Sequence, residues 1–481
     1  MTIKKFNSSG QLTPEAIESE KQLQQLFSAY RGVDDDYAHA GTDALERWRD
    51  WKFGIRIHWS IYSMIGNGPE SWPLSIAFGN NGTPTIRAQY EELYKFWNPC
   101  FFDSEAWCDL FVKSGLKFFV FTTKHHDGFS MYGTKTKVKK RRVHIGPDTG
   151  KIIDCDLHYS IMDTPFKRDI VKELIDSARK QNIGIGLYFS HIDWFDSDFR
   201  IDQWGYQLDN NYTKQSDPEG FKRMILRHRQ QICEILSNYG KIDDLSLDMH
   251  FDDLGRKHGI HDEIIETIKM ARRLQPDIMI RERGIGPYGD YTTPERTIPQ
   301  SPADIRDMPW QVIYPGGKHF SFQWGDDYKP AEWIIKNLID ITAKGGCFQV
   351  GYGPRPDGRW DAEIVHRLTE VGDWLRVNGE GIYATRPYKI FEEGPNIRYS
   401  RSKDNKFVYA FVMNWPDEPI SGGNIALKAV RAKSNSQIKM LGLDHNFDYT
   451  QNKDVLNITV PVWFGNLNRP CKFAHCFKIE I

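Results

Sequence analysis

Five short stretches of this sequence gather side chains that can move protons, carry charge or grip hydroxyl groups. They read Ile57-His58-Trp59, Thr122-Thr123-Lys124-His125-His126-Asp127-Gly128-Phe129, Tyr188-Phe189-Ser190-His191 with Asp193-Trp194, Leu247-Asp248-Met249-His250, and Arg281-Glu282-Arg283 followed by Gly289-Asp290-Tyr291-Thr292-Thr293-Pro294-Glu295. Any one of them has a plain structural explanation, since a single histidine more often completes a core hydrogen bond than serves a reaction. Together they supply carboxylates, imidazoles, guanidiniums and indoles. Two carboxylates with aromatic walls suit glycoside hydrolysis, where one attacks the anomeric carbon while the other protonates the leaving oxygen and then activates water. Asp248 ends an apolar run and has little freedom, as a nucleophile requires; Glu295 lies in a proline-containing loop able to cover a sugar. A metal hydrolase using His58, His125, His126 and Asp248 is the alternative, although neither HxH nor HExxH spacing occurs. No GxSxG turn is present.

These stretches need a frame. From Trp48 onward, apolar runs at 54–59, 117–122, 184–190, 244–248, 278–283, 318–322 and 347–351 read as buried strands. Segments of helical period lie between them, at 104–114, 164–181, 219–239, 262–274 and 330–344, with helix starts at Asp103-Ser104-Glu105 and Asp163-Thr164-Pro165. Such alternation predicts an α/β fold, a (β/α)8-like TIM barrel over 46–380, with its active site at the C-terminal strand ends. A doubly wound sheet is the runner-up, but no GxGxxG turn follows the first strand. Residues 1–45 read as an N-terminal helical arm. Over 381–481 short alternating runs (406–413, 425–430, 438–441, 455–462 and 473–481) separated by turn residues predict a C-terminal antiparallel β-sandwich.

Composition narrows the partners. Sixty-three Lys+Arg against 64 Asp+Glu leave a net charge of −1, so nothing global favours nucleic acid or an acidic membrane. No run approaches the ~18 apolar residues of a membrane span. Fifteen Trp, 21 Tyr and 28 Phe lean mildly towards carbohydrate, whose C–H faces pack on aromatic rings, though an aromatic-rich core is the commoner explanation. Seven scattered cysteines without a CxxC pair argue against a zinc site or disulfide framework, leaving only Cys471 and Cys476 as a candidate pair. The N-terminus, MTIKKFNSSG, lacks the apolar core of a secretory signal; the protein is cytoplasmic, or periplasmic or secreted if a leader has been removed. Residues 135–142 (KTKVKKRR) carry six cations and no acid, which reads as a solvated loop or as a site for a sulfated or acidic glycan.

The segments KFGIRIHW (52–59), LKFFVFTTKHHDGF (116–129), GLYFSHIDW (186–194), GDYTTPE (289–295), TAKGG (342–346), GYGPRPDG (351–358) and NGEGIYATRP (378–387) resemble family 29 of the glycoside hydrolases, the retaining α-L-fucosidases. The resemblance spans about 50–480. It implies a retaining exo-glycosidase for terminal α-L-fucosyl residues of a glycan or oligosaccharide, with no cofactor and no metal, Asp248 as nucleophile and Glu295 as acid/base. It also implies substrate contacts from His58, His125, His126, Tyr188, Arg283, Glu70, Trp72 and Phe322, the last on the C5 side of the sugar. Several motifs depart from the family: Ser71 intervenes between Glu70 and Trp72, LSLDMH replaces LWFDG, Arg281-Glu282-Arg283-Gly284 replaces NDRW, and Ser321-Phe322-Gln323-Trp324 replaces SWGY. A changed C5 pocket admits other galacto-configured sugars, an α-L-galactoside or β-D-galactoside, because discrimination at one methyl is worth only about 1–3 kcal/mol. An inactive carbohydrate-binding homologue and a homo-oligomer are both compatible with the sequence. An insertion over 138–159, containing part of the basic run, is expected to touch leaving-group sugars.

Overall fold

Apolar runs flanked by amphipathic helices bury best as central parallel strands, covered on both faces. The computed structural model describes residues 5–75, 82–248, 252–415, 423–461, 463–464 and 469–481. Its strands up to residue 352 are β1 (Phe53–Ile57), β2 (Phe118–Lys124), β3 (Val138–Arg142), β4 (Ile152–Leu157), β5 (Gly184–Ser190), β6 (Asp244–Asp248), β7 (Met279–Ile280), β8 (Gln311–Pro315) and β9 (Cys347–Tyr352). Seven form one parallel sheet in the order β7-β6-β5-β2-β1-β9-β8. Strands β1, β2, β5, β6 and β9 are buried throughout.

The eighth stave is irregular. Residues 291–295 bridge both edges of the sheet, Tyr291 to Arg281, Thr292 to Trp310 and Glu295 to Ile313. The segment carrying Glu295 is thus what joins β7 to β8. Helices Ser104–Lys113, Ile170–Lys180, Pro218–Ser237, His261–Leu274, Ala331–Ala343 and Ala362–Asn378 accompany the strands. Asp103 caps the first of these, accepting from the Glu105 and Ala106 amides, each at 3.0 Å.

Three expectations need correction. Residues 318–322 are a loop; the strand is β8, whose apolar centre is bracketed by Pro309 and Pro315 and was hidden by Gln311. The helix expected from Asp163-Thr164-Pro165 begins at Ile170 under an Asp169 cap, because Ser160 and Asp163 close a single separate turn. The basic run is solvated as expected, but from residue 138 it is a strand rather than a loop. It enters the β3–β4 hairpin, where Lys137 and Lys139 pair with Asp156, Lys140 with Asp154, and Arg141 with Glu92.

Residues 5–45 lie on the barrel and brace its eighth stave. The Tyr30 hydroxyl donates to the Asp290 carbonyl at 2.5 Å and the Ala40 amide to the Asp290 carboxylate at 2.9 Å. Beyond residue 385 lie a six-stranded antiparallel sheet and a three-stranded one. Tyr399, Val408, Val412, Leu427, Ile458, Phe477 and Ile479 share a core there, while Phe411 and Cys476 join the barrel's core with Trp374. The end of the 455–462 run, Val462, lies outside the described residues. Cys471 and Cys476 are not bonded to each other.

Gly128 follows the two site histidines at φ +76°, and a Cβ there would stand 2.1 Å from Oδ1 of Asp193. Asp193 is a buried carboxylate paired with Arg227. Gly128→Ala is expected to cost at least about 2 kcal/mol through backbone strain and displacement of that pair. Thermal unfolding checks this, and an unchanged midpoint contradicts it.

Candidate active site

The strand ends open onto one cavity of about 450 Å³, lined by His58, Pro69, Glu70, Trp72, His125, His126, Asp248, Arg283, Glu295, Arg296, His319 and Phe320. Eight of the ten residues expected from the sequence are among them. Tyr188, the ninth, is buried beside the cavity and donates its hydroxyl to Asp248 Oδ2 at 2.7 Å. Phe322 is not in the wall. It packs edge-on to Trp324, and Phe320, two residues earlier, takes the wall position, stacked on His58 with centroids 5.0 Å apart.

Asp248 and Glu295 come from different staves, and Arg283 joins them. Its Nη1 lies 2.6 Å from Asp248 Oδ1 and its Nη2 lies 2.5 Å from Glu295 Oε2. Arg281 reaches the same two oxygens at 3.5 and 3.4 Å. One forked guanidinium therefore holds both acids on a single cavity. Burial pushes the Asp248 carboxyl up, but Arg283 and Arg281 outweigh it and hold that carboxyl well below the usual carboxylate range. Burial also raises Glu295; Arg283 opposes this, the Asp248 charge adds to it, and with Arg281 the net effect is downward. Met249 and His250, which follow Asp248 in the sequence, lie outside the described residues.

The histidines stay neutral because burial disfavours their charged forms: His58 and His125 fall well below the imidazole range and His126 to about 4. Ser71 Oγ meets His125 Nδ1 at 2.5 Å and Ser190 Oγ meets His126 Nδ1 at 2.6 Å. The serine that interrupts the Glu70-Trp72 pair thus orients a site histidine. Glu70 Oε1 accepts from the Phe320 and Ser321 amides at 2.9 and 3.0 Å; burial nevertheless lifts its carboxyl to about 7. Trp72 stands edge-on to His126, Trp194 and Trp204. Among the described residues no three His, Cys, Asp or Glu side chains gather to hold a metal, so the alternative set of His58, His125, His126 and Asp248 is not assembled as one.

The GDYTTPE segment explains itself residue by residue. A Cβ at Gly289 would stand 2.3 Å from the Glu282 Cα. Asp290 accepts from Arg272 at 2.6 Å and from the Ile280 amide at 2.7 Å. Tyr291 donates to Asp244 at 2.8 Å, Thr292 to Glu282 at 2.5 Å, and Thr293 accepts from Arg281 at 2.5 Å. The Ile313 amide then bonds the Pro294 carbonyl and the Arg296 amide bonds the Ile313 carbonyl, aligning Glu295 along β8.

The sequence puts Arg281 at a strand end facing the site without a role, and gives no place there to Arg296, His319 or Phe320. The two-residue spacing of Arg281 and Arg283, which puts both on one face, was the available signal for the first. The loop after β8, expected as a strand, concealed His319 and Phe320; Arg296 directly follows Glu295 in the sequence.

A barrel whose strand ends converge two carboxylates, neutral imidazoles and aromatic walls on a sugar-sized cavity is the architecture of a glycoside hydrolase. Residues 24–380 match the family model described as alpha-L-fucosidase, and residues 392–480 match the alpha-L-fucosidase C-terminal domain. The chain belongs to the α-L-fucosidase family. It is 26% identical over 456 residues to the plasma alpha-L-fucosidase of Rattus norvegicus, covering 89% of this chain and 91% of the relative. Its fold is similar to the alpha-L-fucosidase isoenzyme 1 of Paenibacillus thiaminolyticus (TM-score 0.72, 24% identity, 91% and 98% of the two chains). It is also similar to a trapped covalent intermediate of a Bacteroides thetaiotaomicron α-L-fucosidase in complex with 2-fluoro-fucosyl fluoride (TM-score 0.74, 22% identity, 94% and 99%). No helix among the described residues is long and apolar enough to cross a membrane.

Proposed function

We propose that this protein is a retaining exo-glycosidase that removes terminal α-L-fucosyl residues from glycans by double displacement. The observation that carries the reading is the Arg283 fork, which presents Asp248 and Glu295 to the same cavity. Asp248, ionised and held by Arg283 and Tyr188, attacks the anomeric carbon and forms a glycosyl ester. Glu295 donates its proton to the departing oxygen. Esterification removes the Asp248 charge, which lowers the proton affinity of Glu295 and suits it to deprotonate water in the second step. His58, His125 and His126, neutral and at the cavity wall, donate to and accept from sugar hydroxyls. The Bacteroides thetaiotaomicron relative, trapped as a covalent intermediate, supports the two-step course.

A second assignment of the acid has one observation in its favour: Glu70 lines the same cavity and its carboxyl is raised to about 7. Against it, Glu70 Oε1 is already committed to two backbone amides.

The test sets aryl α-L-fucoside, α-L-galactoside and β-D-galactoside side by side and reads the first-formed sugar by proton NMR. The α-L-fucoside is expected to turn over fastest, ahead of the α-L-galactoside by about 10–200-fold, with the α-anomer released first. Release of the β-anomer first contradicts double displacement, and binding without turnover of any of the three contradicts the enzyme reading.

A further inference from the structure

The cavity holds one cation that the carboxylate pair does not use. Arg281 and Arg283 both answer to Asp248 and Glu295. Arg296 lies over the Phe320 ring, 4.8 Å from its centroid, and donates through Nη1 to the Lys318 carbonyl at 3.3 Å. Its guanidinium is exposed, and among the described residues no carboxylate comes within ion-pair distance of it, although its charge opposes the effect of burial on Glu70. Beside it in the wall stands His319, whose Nδ1 is buried without a hydrogen-bond partner. Two acids face this corner. Glu70 Oε1 is taken by the Phe320 and Ser321 amides, and Asp326 accepts from the Lys318 amide at 3.0 Å.

The sign of the surplus matters. The transition state of glycoside cleavage is itself oxocarbenium-like and positive. Three guanidiniums, Arg281, Arg283 and Arg296, face three carboxylates, Asp248, Glu295 and Glu70, of which Glu295 carries a proton when it acts and Glu70 is lifted by burial to about 7. Positive charge is left over where more must develop, unless the substrate brings a negative group. Four of the six cations of residues 135–142, Lys137, Lys139, Lys140 and Arg141, are already paired with Asp156, Asp154 and Glu92.

We propose that Arg296, with His319 beside it, forms an oxyanion subsite in the cavity wall that takes a sulfate ester or carboxylate borne by the glycan. This rests on the glycosidase reading for its substrate class, but its binding step does not require turnover. Planar guanidinium donors match both oxyanions, and a charge-assisted bond beside an aromatic face is stronger than a neutral one.

The test uses the full-length protein and inorganic sulfate, with chloride at matched ionic strength. Titration calorimetry is expected to show sulfate binding that weakens at least tenfold in Arg296→Gln and is partly kept in Arg296→Lys, with matching thermal midpoints confirming the fold. Fuco-oligosaccharide pairs with and without a sulfate ester, and pairs with and without a uronate carboxylate, separate the two sources of the anion. For the preferred anion, the ratio of kcat/KM on the charged member to that on the neutral one is expected to fall at least tenfold in Arg296→Gln. Anion binding and anionic preference that are absent, or equal in wild type and Arg296→Gln, overturn the subsite. Arg296-dependent sulfate binding without hydrolysis of any fucoside supports the subsite and overturns the glycosidase reading instead.

Discussion

Asp248→Ala is expected to reduce kcat on an aryl α-L-fucoside by about 10⁴-fold, roughly 5.4 kcal/mol of transition-state stabilisation. The size follows from what the side chain does. It is the carboxylate held ionised against burial by Arg283 at 2.6 Å and Tyr188 at 2.7 Å, so no neighbouring group can replace its attack. Circular dichroism and thermal unfolding should show a folded protein, because Glu295 still neutralises part of the charge on Arg281 and Arg283. Azide, entering the space the carboxylate leaves, is expected to restore turnover and give the β-L-fucosyl azide. Near-normal kcat in Asp248→Ala would sink the nucleophile assignment.

Glu295→Gln is expected to lower turnover of unactivated glycans by about 10²–10⁴-fold, the range for a positioned acid–base group. An aryl fucoside with a good leaving group should lose far less in the first step, since it needs little protonation. Azide should now attack the glycosyl-enzyme and give the α-azide, the opposite anomer from the Asp248 variant. The pH profile carries independent information. The protonated acid is lost as pH rises through its pKa, and the free enzyme holds Glu295 below the ordinary glutamate range. The alkaline limb of kcat/KM is therefore expected clearly below pH 7. A limb near 7 that survives in Glu295→Gln and disappears in Glu70→Gln would move the acid role to Glu70, whose carboxyl lies at about 7.

The departures from the family pattern acquire physical content from these contacts. Arg281-Glu282-Arg283, just beyond the end of β7, brings two guanidiniums to the same carboxylates, which face a stronger positive field than one arginine supplies, while Glu282 turns away to Thr292 and Arg306. Ser71 orients His125 rather than merely spacing Glu70 from Trp72.

Much of the frame was legible in the sequence. Strands 184–190 and 244–248 were read to the residue, because continuous apolar runs ending in polar residues have one comfortable place, the middle of a parallel sheet with their ends at its mouth. Asp248, Glu295 and the histidines follow from that placement and from local spacing. What the order of residues did not contain was the pairing across the ring. That Glu295 rides an irregular stave between β7 and β8, and that one guanidinium forks to two acids, depends on hydrogen bonds between segments distant in the chain. The same holds for Phe320 replacing Phe322 in the wall, and for acids on a neighbouring strand meeting the cations of the 135–142 run. Local periodicity reports which face of a segment is apolar; only packing in three dimensions decides which charge it meets.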